Sequence, residues 1–159
     1  MDLRRTLTIL LLAVAPASTA FAGETPAAAS PKWGTVALPS GKTLSVEVAD
    51  TPLLQERGYM YRDRVPDGEG MVFLLASLDI HPFWMKNCRT SLDIIWLDEN
   101  WRIVHIAAVV PPCKDDPCPT YSSMQKSHFV LEVAPGGAER LGLKKGDHIT
   151  YLPPPARGE

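Results

Sequence analysis

Polar and apolar residues alternate along "TLSVEVA", residues 43–49. Leu44, Val46 and Val48 fall on one face, and Thr43, Ser45 and Glu47 on the other, which is the period of a half-buried strand. A shorter run, "GTVAL", precedes it, and "PSGK" at 39–42 supplies turn residues between them, so the two are expected to form a hairpin. The period changes in "DTPLLQERGYM". Thr51 suits a helix cap, Pro52 the first helical position and Gly58 the end, with Leu53 and Leu54 expected to face the sheet. "RDRVPDGEG" is a loop by composition, and "MVFLL" is a further strand.

Downstream, "LDIIWL" and "RIVHIAAVV" are apolar on both faces, the pattern of central rather than edge strands. "DENW" turns the chain between them, with Asn100 as the residue that tolerates left-handed backbone. "PPCKDDPCPTYSSMQ" is a long loop. In "SHFVLEVA", Phe129, Leu131 and Val133 point inward. His128, Val130 and Glu132 take the other face, where a His–Glu pair is ordinary on a solvated surface. "PGGAERLG" is a short helical turn, and "KKGD" leads into a last strand, "HITYL". The pattern predicts about eight short strands and two short helices. Regular helices between strands are missing, which argues against parallel βαβ units. The expected fold is mainly β (β-rich α+β), a compact antiparallel barrel-like or sandwich domain.

The ends of the chain read differently. "MDLRR" followed by "LTILLLAVA" and "AFA" has the basic, apolar and small-residue zones of a cleaved signal peptide. Cleavage is expected after Ala22, making residues 1–22 a leader and the mature protein periplasmic or secreted. Residues 23–32, rich in Ala, Pro and Ser, read as a flexible arm. Residues 33–152 read as one domain, and residues 153–159 as a flexible tail. The apolar run is too short to suggest a stable membrane span after cleavage. Without the leader the net charge is −3, which makes nucleic acid an unpromising partner.

Export implies an oxidising compartment. Cys113 and Cys118 share one Pro-rich loop and are expected to form a disulfide; a loop this short gains about 2 kcal/mol in the chain-entropy account. Cys88 is then the odd thiol. It reads either as a small buried hydrophobe or as a nucleophile with Lys86 and Arg89 lowering its pKa.

"QERGYMYR", "GEGMVFLL", "HPFWMKNCRTSLDIIWLDENWRIVHI" and "VLEVAPGGAERLGLKKGD" occur in that order. Together they resemble the bacterial and archaeal family known as domain of unknown function 192, over about Val36 to Tyr151. "FWMKN" followed by "LDIIWLD" is the specific part. The resemblance implies a small, mainly β domain, often exported, with no agreed activity. Family members usually carry Thr where this chain has Cys88, and Leu where it has Tyr59. Exported members carry a loop matched here by Cys113, Cys118, Pro119 and Tyr121, which implies a structural disulfide.

The candidate chemistry lies where polar groups adjoin apolar runs. Asp93 sits among Leu92, Ile94 and Ile95, a costly place for a carboxylate unless it is paired or hydrogen-bonded. It reads either as a structural acid or as part of a pocket with Arg57, Arg62 and Lys86. Trp84 would be the aromatic wall of such a pocket, which would suit a small anionic or carboxylate-bearing ligand. Met60, Met85 and Asn87 complete the candidate ligand-binding set. The leading expectation is an exported binding or accessory module for a small anionic ligand or an envelope partner. An alternative is an enzyme acting on a small molecule or envelope polymer, with Asp93 as acid or base and Lys86 or Arg62 stabilising charge. Another is a copper-handling protein using the soft donors Met60, Met71, Met85, Met124 and His81. No cofactor is expected, no metal ligands are assigned, and no catalytic residue is named: the chain has no G-x-S-x-G or H-E-x-x-H signature.

Overall fold

The computed structural model describes residues 31–155. The expected leader, most of the arm and residues 156–159 of the tail lie outside the described residues. The first hairpin forms as its alternation dictates. Strands β1 (Trp33–Ala37) and β2 (Thr43–Ala49) pair antiparallel, with Val36 opposite Leu44. Helix α1 (Pro52–Arg57) follows, capped by the Thr51 hydroxyl, which accepts the Leu54 amide at 3.3 Å. Its leucines do not face the sheet as expected: Leu53 is 74% exposed and no residue of α1 is buried. A polar tether holds the helix instead. The Gln55 side-chain amide donates to the carbonyls of Ala49 at 3.2 Å and Leu74 at 2.8 Å.

Strand β3 (Glu69–Asp79) lies parallel to β2. The segment between them, α1 included, is therefore a crossover, which a parallel pair requires. The wholly antiparallel expectation is corrected here, and the sheet is mixed. The remaining elements are β4 (Phe83–Trp84), β5 (Leu92–Leu97), β6 (Ile103–Val110), β7 (Thr120–Tyr121), β8 (Ser127–Val133), α2 (Gly137–Arg140) and β9 (Thr150–Leu152). Seven strands form one sheet in the order β6-β5-β8-β3-β2-β1-β9, and β4 pairs with β7 in a separate ribbon. Among the described residues the protein is mainly β with two short helices, as expected.

The barrel does not close, for β6 and β9 are the edges of the sheet. One isolated bridge, between Arg102 and His148, ties the two ends together. Placing β6 at an edge also corrects its expected central position. Trp101, rather than Asn100, takes the left-handed backbone in the β5–β6 turn, at φ 59°. Its ring stacks on Phe129 at 3.8 Å and on Tyr151 at 5.0 Å, which holds it there.

Alternation divides the core between the two faces of the sheet. Val72, Ile95, Leu97, Leu131 and Val133 belong to one apolar cluster. Met71, Phe73, Ile94, Trp96 and Val130 belong to the other. The middle strands are thus covered on both sides, and every residue of β5 is buried.

Candidate functional site

The second cluster contains one acid. On β8, Glu132 is flanked by Leu131 and Val133, which face the first cluster, so its side chain shares the second face with Val130. It pairs with Met71 of β3 on one side and Ile94 of β5 on the other. A carboxyl group in the middle of an apolar row needs a partner. Glu132 is only 4% exposed, yet its Oε2 has no hydrogen-bond partner. Among the described residues no cation pairs with it.

The space beside that oxygen is a narrow cavity of about 30 Å³. This is room for about one or two waters, or for the end of a larger molecule. The floor is Glu132 with Phe73. Tyr59, Met60, Phe83 and Cys88 form the walls, and Arg57, Trp84 and Lys86 also line it. Gly58 is part of the lining. Its φ is +41°, and a β-carbon there would stand 3.5 Å from Phe73 Cζ and 3.8 Å from Glu132 Oε2. Gly58 ends α1 in a conformation that side chains rarely adopt, and the space itself would admit a β-carbon.

The stretch "HPFWMKNC" builds the opposite wall. The His81 carbonyl accepts the Trp96 indole N–H at 3.0 Å, pinning the stretch to the sheet. The Phe83 ring meets Phe73 edge-on at 5.0 Å and Trp96 at 6.0 Å. Met85 enters the core at 1% exposure. Trp84 points outward, 42% exposed, with Lys86 Nζ 5.5 Å above its ring. The Cys88 amide closes a turn on the Met85 carbonyl at 3.2 Å, which returns the chain to the cavity.

Burial governs the acid–base behaviour here. It pushes the Glu132 carboxyl up to about 8. It also pushes the Cys88 thiol up to about 11, with the Glu132 charge adding to the rise. The Tyr59 hydroxyl is raised as well, by burial first and then by Glu132 and Glu47. At neutral pH the cavity therefore presents neutral donors, namely a carboxylic acid and a thiol, inside a lining that also carries Glu56, Arg57 and Lys86, with Lys86 Nζ 3.4 Å from Asp116 Oδ1.

Of the residues singled out from sequence, Arg57, Met60, Trp84 and Lys86 come together at this cavity. Arg62 does not line it. Its guanidinium grips the Glu47 carboxylate with both Nη atoms, the Nη2–Oε2 contact being 2.8 Å, and covers the Tyr59 ring at 5.0 Å. Met85 is core packing. Asn87 lies outside the cavity at φ 57°; its carbonyl accepts the Tyr61 amide at 2.8 Å, and its side-chain amide lies 3.7 Å from Met60 Sδ. Lys86 and Asn87 also line a second, larger concavity of about 120 Å³ beside the 113–118 loop.

Asp93 belongs to another environment. It is fully buried, and its carboxylate accepts three backbone amides: Val109 at 2.7 Å, Gly136 at 2.9 Å and Ala138 at 2.8 Å. Those amides satisfy the acid that sequence offered as a partner for the cations. The soft donors do not form one set either. Met71 and Met85 are buried in the core, while Met124 is 80% exposed in a loop. Among the described residues there is no group of three or more His, Cys, Asp or Glu able to hold a metal. Cys113 and Cys118 are joined, S–S 2.10 Å, and Cys88 is free.

The fold is a small β-rich domain with a mixed seven-stranded sheet covered on both faces and a buried acid beside a narrow cavity. The chain belongs to the family DUF192, described as "Uncharacterized ACR", whose profile matches residues 35–151. It is 28% identical over 113 residues to the UPF0127 protein TK1120 of Thermococcus kodakarensis; that match spans 68% of this chain and 65% of the relative's length. Two solved structures share the fold. One, from Novosphingobium aromaticivorans DSM 12444, is a protein of unknown function, 34% identical, with a TM-score of 0.67 over 77% of this chain and 94% of the other. The other, from Sinorhizobium meliloti 1021, is described as a "putative transcription regulator"; it is 28% identical, with the same TM-score of 0.67 and the same coverages, 77% and 94%. Among the described residues no helix is long and apolar enough to cross a membrane.

Proposed function

We propose that this chain is an exported binding or accessory module, periplasmic or secreted, that captures the anionic end of a small molecule at the Glu132 cavity. The observation that carries this reading is the buried Oε2 of Glu132, unpartnered and lining a cavity that Arg57 and Lys86 also line. A buried polar atom left without a partner is destabilising by about 1–3 kcal/mol, and a ligand that supplies the partner recovers that loss. Arg57 and Lys86 favour an anion there, against Glu56 in the same lining and Asp116 beside Lys86, and the exposed Trp84 ring offers apolar surface to the rest of the molecule. Export rests on the basic, apolar and small-residue leader ahead of Gly23.

Thermal-shift measurements with acetate, succinate, sulfate and phosphate test the binding reading. Carboxylates are expected to raise the melting temperature of the wild type, and less so that of Arg57→Ala and Lys86→Ala. Identical shifts in wild type and both variants would place the anion elsewhere. N-terminal sequencing of protein released from the periplasm tests export, with Gly23 expected first.

A further inference from the structure

We propose that the cavity selects a carboxylate, held by sharing a single proton with the carboxyl group of Glu132. The inference rests on the binding reading above and names its ligand chemistry. Three observations carry it. Glu132 Oε2 lies beneath Gly58 with no donor or acceptor of its own. No cation pairs with Glu132 among the described residues, so no ion pair holds it in its charged form. The cavity, about 30 Å³, has room for a small end group.

The groups facing Glu132 agree with this. From the end of α1 come Glu56, Arg57 and Tyr59. After β4 come Lys86 and Cys88. The neighbouring strands contribute Met71 and Ile94, neither of which ionises. Facing this floor, an incoming carboxylate meets an acid O–H and a thiol S–H, both donors while protonated. Arg57 and Lys86 line the rim and favour its charge, offset in part by Glu56 in the same lining and by Asp116, whose Oδ1 lies 3.4 Å from Lys86 Nζ. A carboxylic acid bonded to a carboxylate makes a short charge-assisted pair, stronger than the same contact between neutral groups. The bound anion holds the Glu132 proton more firmly, because two adjacent carboxylates cannot both stay charged. Burial already keeps that carboxyl protonated up to about pH 8, in line with this role. A tetrahedral dianion would bring a second charge to a floor that has no cation.

Above that pH, binding must draw one proton from solvent. Isothermal titration of acetate and propionate into the full mature chain, from pH 6 to 10, reads this directly. Affinity is expected to be flat below about pH 8 and to fall roughly tenfold per pH unit above it. Titration at pH 9 in two buffers of different ionisation heat should report uptake of about one proton per acetate. That measurement needs no variant. Glu132→Gln keeps an N–H donor at every pH, so it should still bind acetate with the pH dependence gone. Acetate binding independent of pH, without proton uptake, would overturn the shared proton while leaving an anion-binding module. Stronger binding of methylammonium than of acetate, or affinity rising with pH, would overturn it by making Glu132 a carboxylate for cations. Preference for phosphate would overturn the ligand class. Absence of binding by any of these ions would remove the anion-binding reading along with it.

Discussion

The amide of Ala138 donates to Asp93 Oδ2 at 2.8 Å, so one buried side chain on β5 holds the first turn of α2. Asp93 Oδ1 takes the amides of Gly136 and of Val109, the latter at the bulged end of β6. A side chain with three backbone partners joins a central strand, an edge strand and a helix. Asp93→Ala would leave three donors unsatisfied in a site closed to water, and we expect a loss of about 3 kcal/mol or more. Asp93→Asn, which keeps one acceptor oxygen, should lose less. Urea unfolding measures both. Acetate affinity should stay unchanged in whichever variant remains folded; an Asp93 variant as stable as wild type would refute the clamp.

Glu132 makes stability depend on pH. Its carboxyl is raised from 4.5 to about 8 by burial. Between those values the folded state holds a proton that the unfolded chain releases. Stability is therefore fully present below the lower value and falls as pH rises, with the loss complete above the upper one. The full swing has a ceiling of roughly 5 kcal/mol. Glu132→Gln should flatten this slope, leaving the variant more stable than wild type at pH 9 and close to it at pH 5. Denaturation midpoints at the two pH values test it, and a wild type equally stable at both would contradict an unpaired buried acid.

Arg62 serves the crossover rather than the cavity. Its bidentate grip on Glu47 ties the loop after α1 to β2, and its flat guanidinium covers Tyr59, a cavity wall. The arginine side chain is 38% exposed, so solvent screens the pair and the loss on Arg62→Ala should be about 1 kcal/mol. Arg62→Lys should recover little of it, because an ammonium cannot reproduce the fork. Equal stability of wild type and Arg62→Lys by urea unfolding would show that charge alone suffices.

Local periodicity was enough to read most of the elements from sequence. The 43–49 alternation, the Thr51–Pro52 start and the Gly58 stop each specify local geometry, and each occurs as read. Partner choice was not legible in the same way. The parallel β2–β3 pairing depends on where the 50–68 segment carries the chain, and a six-residue helix with outward leucines does not announce a crossover. Half of the site was visible because "FWMKN" places large and charged groups side by side. Glu132 was not, since alternation says which residues share a face but not whether that face is wet. The missing cue was the apolar character of the strands on either side: with Met71 and Ile94 flanking it, the His128–Glu132 face is core at the glutamate. The apolar neighbours of Asp93 mark it as a buried acid that needs partners. Those partners are backbone amides of the Val109, Gly136 and Ala138 segments, which no side-chain pattern displays.

Cys88 should be an inert thiol whose reactivity depends on its neighbour. Burial and then the Glu132 charge push it up to about 11 from an ordinary 9.0. At pH 8 that leaves roughly a hundredfold less thiolate than an unperturbed cysteine, so alkylation by iodoacetamide should slow by a similar factor. Glu132→Gln separates the two causes. It removes a charge that exists mainly above about pH 8, so labelling should quicken at pH 9–10 and scarcely change at pH 7. In denaturant the chain should offer one reactive thiol, rising to three after reduction, because Cys113 and Cys118 are joined. Native labelling of Cys88 at the rate of a free thiol, with the same pH profile in wild type and Glu132→Gln, would mean that thiol and acid do not share one enclosed space.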